Sequence, residues 1–305
     1  MILDCPAKLN LYLAVTGRRD DGFHELVSLV TPISYADRLS VTVTEAAAGF
    51  TLTCDEPGLP TGPENLVIKA AQTFAAATGW RGGAAFHLEK CIPSGAGLGG
   101  GSSDASGVLR ALNELSGVGW GAAELARVAA DVGSDCPLFL ADGPVIMRGR
   151  GEHIAALAPE AAARLIGRRV VVFKPSFGIN TGWAYGRLAR GAPTSYCPAA
   201  DAERRLQEWM TDPTADVAAV LFNSFETVAF EKFLGLPVLL DDLQREFGLA
   251  TAMSGSGSAC FALLPADSSD DGAVCEMIRS AWGADTWCAI STLGALESGR
   301  AANAS

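Results

Sequence analysis

CIPSGAGLGGGSSDAS, residues 91–106, puts five glycines and three serines into the twelve residues that follow Pro93. A segment with helical spacing comes straight after it. Gly95-x-Gly97-x-x-Gly100 has the spacing of a dinucleotide fingerprint. That fingerprint belongs in a βαβ unit, with an acidic residue about 20 positions on. Here two helical patterns follow in succession, and the next strand pattern begins near Val145. No Gly-Lys pair occurs anywhere in the chain, which excludes a Walker loop. A plain linker would not run directly into so regular a helix. What remains is an anion cradle. Consecutive glycines let backbone N–H groups converge without Cβ obstruction, and a helix N-terminus adds its partial positive charge. Ser102 and Ser103 are expected where the helix begins, able to cap it or to reach a phosphate oxygen or a metal-bound water.

The bulk properties agree with a globular enzyme. The chain has 305 residues, 49% of them hydrophobic, enough for one large or two ordinary domains. A net charge of −11 argues against a phosphate-tracking surface for nucleic acid, although one local nest of amides can still hold an anion. The eight cysteines form no C-x-x-C, and the three histidines at 24, 87 and 153 are scattered, so no zinc constellation is present. Reduced thiols in a cytoplasmic protein are expected. Residues 1–15 lack a basic leader and carry Lys8, unlike a signal peptide, and no run reaches the ~18 apolar residues of a membrane span. The glycosylation-type sequon at residues 303–305 has no meaning in that compartment.

Strands are expected over residues 9–15, 38–44, 50–54, 84–88, 145–148, 168–174, 250–253, 259–264 and 286–290. Helices are expected over 65–78, 102–116, 121–132, 181–188, 201–210, 222–233, 239–247 and 273–282, the first three each closed by a glycine. A second glycine-serine loop spans 254–258. The alanine-rich stretch 155–165 is the expected domain junction, dividing the chain into 1–160 and 161–305. The pattern is mixed α/β, strand-rich early and helix-rich later.

The glycine loop closely resembles the ATP-binding motif of the GHMP kinase superfamily. Pro6-Ala7-Lys8-Leu9-Asn10-Leu11 is similar to the first motif of that superfamily, and residues 253–260, Met-Ser-Gly-Ser-Gly-Ser-Ala-Cys, to its third. The likeness extends to the 4-diphosphocytidyl-2-C-methyl-D-erythritol kinase family. It is carried by PAKLNLYLAVTGRRDDGFHEL at 6–26, Glu64-Asn65-Leu66-Val67, Gly133-Ser134-Asp135-Cys136-Pro137, and Gly149-Arg150-Gly151-Glu152. It covers most of the chain and is dense over residues 6–152.

The resemblance implies a two-domain α/β (α+β) fold, with a ribosomal protein S5 domain 2-like N-terminal half and a ferredoxin-like C-terminal half. It implies an ATP- and Mg²⁺-dependent kinase that phosphorylates a hydroxyl of a CDP-linked methylerythritol in non-mevalonate isoprenoid synthesis. Asp135 would be the catalytic base, and Lys8 would lie beside it, keeping the carboxylate ionised and stabilising the attacking oxygen. Taken alone, two charged residues so far apart in sequence would be read as surface charges. Pro93, Gly95, Gly97, Leu98, Gly99, Gly100, Gly101, Ser102 and Ser103 would hold the phosphates, Ser102 also being the candidate Mg²⁺ ligand. Asn65 and Lys90 would lie on the nucleobase side of ATP. Phe23 and His24 would recognise the cytosine, Thr181 and Tyr185 would lie near it, and Asn10, Gly255 and Gly257 would contact substrate.

The chain departs from the family pattern at Phe23, where a tyrosine is usual, at Asn223-Ser224-Phe225-Glu226, at Cys136 and Leu138, and in the spacing of the third motif. These changes bear on the acceptor pocket more than on the reaction type. The alternatives are another GHMP kinase, of homoserine or mevalonate type, or a catalytically silent nucleotide-binding relative. Asp135 and Lys8 argue against the silent relative, and the Phe23-His24 ring pair against the other kinases. A small-molecule CDP-alcohol is the expected partner, with no nucleic acid and no membrane; no interface patch is legible.

Overall fold

A computed structural model describes residues 1–45, 49–267 and 270–294. The sequon at 303–305 lies outside them. The elements run β1 (Ile2–Arg18), β2 (His24–Thr44), β3 (Phe50–Cys54), α1 (Leu66–Thr78), β4 (Gly83–Glu89), α2 (Gly100–Leu115), α3 (Ala122–Val132), β5 (Val145–Gly149) and β6 (His153–Ala156). They continue α4 (Pro159–Ala163), β7 (Arg169–Lys174), α5 (Thr181–Arg190), α6 (Ala199–Thr211), β8 (Phe222–Asn223), α7 (Glu226–Lys232), α8 (Gly235–Phe247), β9 (Thr251–Met253), β10 (Cys260–Leu263), α9 (Asp271–Trp282) and β11 (Trp287–Thr292).

A seven-stranded sheet has the path β3-β4-β2-β1-β8, with β5 paired to β2 and β6 to β5. A second sheet, β11-β7-β10-β9, is antiparallel throughout. Helices α1, α2 and α3 cover one part of the first sheet around Val67, Phe74, Val108, Leu112 and Val128, all buried. Helices α5, α7, α8 and α9 pack with strands of the second sheet around Val171, Phe173, Leu188, Leu240 and Ile278. A third cluster joins both halves through Leu9, Leu11, Leu98, Val172, Leu206 and Phe261. Strand β8 pairs in parallel with β1 at Tyr12↔Phe222 and Leu13↔Asn223, so the second half of the chain contributes to the first sheet.

The element types agree with the sequence in most places, and the exceptions have physical causes. The strands expected over 9–15 and 38–44 extend to Ile2–Arg18 and His24–Thr44. Their outer parts are broken in sequence by Lys8, Ser28 and Thr31, polar residues that are buried all the same. The helix expected over 222–233 is a two-residue strand followed by α7, because the Asn223 side chain accepts from Phe225 N–H at 2.9 Å and turns the chain. The stretch 155–165 holds the end of β6 and helix α4, and it buries Ala161 and Leu165. No helix among the described residues is long and apolar enough to cross a membrane.

Candidate active site

Three segments far apart in sequence are bonded through their backbones. Lys8 N–H on β1 donates to Leu98 O at 2.9 Å, and Ala259 N–H donates to Ala96 O at 3.0 Å. The Ser254 hydroxyl accepts from Asn10 N–H at 3.3 Å and donates to Gly97 O at 3.3 Å. Close approach dictates glycine here. A Cβ at Gly97, whose φ is +79°, would stand 2.5 Å from Ser254 O, and one at Gly99, φ +74°, would stand 2.7 Å from the Phe139 ring. The polar segment 223–226 supports the third loop from behind. Asn223 donates to Met253 O at 2.7 Å and Gly255 O at 2.8 Å, and Glu226 accepts from Met253 N–H at 2.8 Å. Burial pushes the Glu226 carboxyl up to about 7, against the pull of that hydrogen bond.

Helix α2 starts at Gly100, with Gly99 as a left-handed N-cap and no side-chain cap. Ser102 and Ser103 therefore lie inside the first turn and do not cap it, a correction to the sequence expectation. Gly99 has already turned the chain, so the first-turn amides are left open toward the loop. Ser102 faces the cleft, while Ser103 is buried and its hydroxyl has no hydrogen-bond partner among the described residues.

The loop separates two connected spaces. The larger is an open cleft of about 1590 Å³ that takes in Lys8, Asn10, Phe23, His24, Asp135, Thr181, Tyr185 and Gly255. The smaller, about 380 Å³, is lined by Asn65, Lys90, Pro93, Gly95, Leu98, Gly100 and Gly101. Leu66, Gly97, Gly99 and Ser102 border both. An anion on the loop would thus have one space on either side for its two ends.

Lys8 is buried, and its ammonium donates to Asn10 Oδ1. Asn10 Nδ2 donates to the Ser28 hydroxyl at 3.0 Å, which donates to Tyr12 O at 2.6 Å. The chain fixes the orientation of the Asn10 amide, since the ammonium can only donate. Burial lowers the Lys8 pKa, and the charge of Asp135 opposes that shift. No carboxylate lies within 4.0 Å of the ammonium among the described residues. Lys8 and Asp135 share the cleft and feel each other's charge without a direct ion pair. Asp135 is held at the entry to a 3-10 turn, Cys136–Leu140, where Cys136 N–H donates to Gly133 O at 3.1 Å.

An aromatic group lines the same cleft. The His24 ring lies 4.7 Å from that of Tyr185 and 5.9 Å from that of Tyr196. Burial, aided by Arg18, lowers the His24 pKa, and its Nε2 has no partner among the described residues. Burial and the charge of Asp135 push the Tyr185 hydroxyl up to about 12. Phe23 is exposed at the rim, with the Arg150 guanidinium 4.9 Å from its ring centre. Thr181 and Ser256 share a hydrogen bond of 2.8 Å.

Three of the residues expected to contact a ligand have these surroundings within the protein. Asn65 caps α1, accepting from Val67 N–H at 2.9 Å and donating to Pro60 O at 2.7 Å. The Lys90 ammonium is engaged by Asp37 and by Asp104, the latter at 2.8 Å. Gly257 does not border the cleft; a Cβ there would meet Met253 and Ile179. Ser256 and Arg150 lie inside motifs that the sequence singled out, whereas Ser28 and Tyr196 had no signal there. Ser28 and Tyr196 could have been found only from the strand pairing and ring contacts that the fold creates.

Residues 65–143 match the model for the GHMP kinases N terminal domain, and 201–284 that for GHMP kinases C terminal. The chain is 40% identical over 269 residues to the 4-diphosphocytidyl-2-C-methyl-D-erythritol kinase of Synechococcus sp. (strain CC9605), covering 86% of each. The chain belongs to this kinase family. A crystal structure of a 4-(cytidine 5'-diphospho)-2C-methyl-D-erythritol kinase superposes on it with a TM-score of 0.77 at 36% identity, covering 97% of this chain and all of that one. Homoserine kinase from Cytophaga hutchinsonii shares the fold, with a TM-score of 0.72 and 96% and 94% coverage, at 16% identity. The two-domain GHMP kinase fold and ATP-dependent kinase chemistry follow from this membership. As a diphosphocytidyl-methylerythritol kinase family member, the chain keeps an aspartate, a lysine and an unobstructed glycine loop around one cleft.

Proposed function

We infer that the protein transfers the γ-phosphoryl group of ATP to the 2-hydroxyl of 4-diphosphocytidyl-2-C-methyl-D-erythritol, a step of non-mevalonate isoprenoid precursor synthesis. The observation that carries this reading is one cleft with three parts: the loop at its floor, Lys8 and Asp135 beside it, and the His24–Tyr185 rings farther along. The loop amides and the end of α2 are suited to a triphosphate. Asp135 can accept the alcohol proton as the phosphoryl group arrives, since a carboxylate need not deprotonate the alcohol beforehand. Lys8, desolvated and held by Asn10, offers a positive charge to the oxygens of the reacting centre. The ring group suits a pyrimidine, with stacking worth ~1–3 kcal/mol.

Among the described residues no group of three or more His, Cys, Asp or Glu side chains is placed to hold a metal. We assign the Ser102 hydroxyl, which borders both spaces, to Mg²⁺, with phosphates and water as the other ligands. When bound, the ion would neutralise phosphate charge. We propose the cytoplasm as its compartment.

ADP release measured with three alcohols tests the reading. The CDP-linked methylerythritol is expected to be consumed, and homoserine and mevalonate are not. Consumption of either of those, with the CDP-alcohol untouched, would contradict it.

A further inference from the structure

Behind the glycine loop lies a buried ionic cluster. Asp37 on β2 is fully buried, and one of its oxygens accepts from Cys91 N–H at 2.6 Å and Ile92 N–H at 2.7 Å, the first residues of the loop. Its other oxygen meets the Lys90 ammonium. The same ammonium bonds Asp104 at 2.8 Å, just past the first turn of α2 and beyond the far end of the loop. Side-chain exposures are 0% for Asp37, 5% for Lys90 and 3% for Asp104. A Cβ on Gly100 would stand 3.0 Å from the ammonium, so the helix start is packed directly onto it.

We propose that Asp37, Lys90 and Asp104 form an ionic tether that joins the entry and exit of the phosphate loop, and that Lys90 acts on ATP through the loop and not by touching the nucleobase. This rests on the reading that ATP occupies the loop. The ammonium bonds both carboxylates and is only 5% exposed, while the residue borders the smaller space beside the loop. A charge held this way is lost only at the cost of leaving its partners buried and unpaired. The tether fixes the distance over which the glycines between its ends must span. Lys90 and Asp104 are positioning residues.

Steady-state kinetics with ATP and with GTP tests this. Lys90→Met is expected to raise KM for both nucleotides by one common factor, about tenfold or more, and to leave KM for the acceptor alcohol within about twofold. Lys90→Arg, which keeps the charge and both bonds within reach, restores most of the loss. Asp104→Ala reproduces the common factor, as a partner of the Lys90 ammonium should. A Lys90 variant that changes the ATP to GTP preference, or an Asp104→Ala variant with unchanged KM for ATP, would overturn the tether. Where Lys90→Met fails to fold, hydrogen exchange of the loop amides in Asp104→Asn decides. Faster exchange is expected over residues 95–101, and an unchanged rate contradicts the proposal. Gly101→Asp separates the underlying reading, because a carboxylate at the loop should abolish ATP binding. Unaltered binding there would remove ATP from the loop and leave the tether without its ligand.

Discussion

Lys8 gives its hydrogen bond to Asn10 and meets Asp135 through charge alone. The bond to Asn10 makes the amide a control on the charge of Lys8. Burial already places its deprotonation below the usual 10.5. The alkaline limb of kcat should therefore fall below that of an ordinary lysine. Asn10→Ala, which removes an acceptor that favours the ammonium, should move the limb lower still. Lys8→Met should cost about 10²–10³ in kcat. A pH–rate profile unchanged in Asn10→Ala would disconnect the two residues.

His24 and Tyr185 line the larger space and not the smaller one that Lys90 and Pro93 border. His24→Ala or Tyr185→Ala should raise KM for the CDP-alcohol by about tenfold or more, while KM for ATP changes little. Steady-state measurement of both constants checks this, and equal changes in both would place the rings elsewhere.

Two neighbouring glycines should respond in opposite ways. Gly97→Ala forces a side chain into a left-handed residue with a carbonyl 2.5 Å away. It should destabilise the protein by more than about 1 kcal/mol and weaken ATP binding. Gly101→Ala meets only Leu66, at 3.7 Å, and has ordinary helical φ, so its Tm should be retained or raised. Denaturant titration of both variants settles the contrast; comparable losses in the two would refute the close packing of the loop.

Glu226 makes a pH prediction. Its folded-state pKa of about 7 lies above the ordinary 4.5, so the folded state holds the extra proton between those values. Its contribution is complete below about pH 4.5 and is lost as pH rises through about 7, by up to ~3 kcal/mol. Urea melts across pH 5–8 should show a shallower fall for Glu226→Gln than for the parent. Identical slopes would show that Glu226 does not carry the effect.

Much of this was legible in residues 6–152, because the loop, Lys8, Asn10 and Asp135 belong to short motifs whose chemistry depends on residue type and order. Helix α1 could be read to its ends, Asn65 and Gly79, since caps are local. The surroundings of Lys8 were legible in part. Asn10 lies two residues on along the same strand, whereas Asp135 reaches the cleft only through the fold. The carboxylates around Lys90 were not legible: Asp37 and Asp104 are 53 and 14 residues away in sequence, and only the fold brings them to its ammonium. Segment 223–226 looked like part of an altered acceptor pocket. In the structure Asn223 and Glu226 hold the third loop, and Phe225 alone of the four lines the cleft.

The account centres on Asp135 as the group that takes the alcohol proton. The most direct measurement is single-turnover phosphoryl transfer by Asp135→Asn, with the ATP Kd measured alongside. A fall of about 10³-fold or more in the rate, with the Kd unchanged, is the predicted result. A rate within about tenfold of the parent would contradict it.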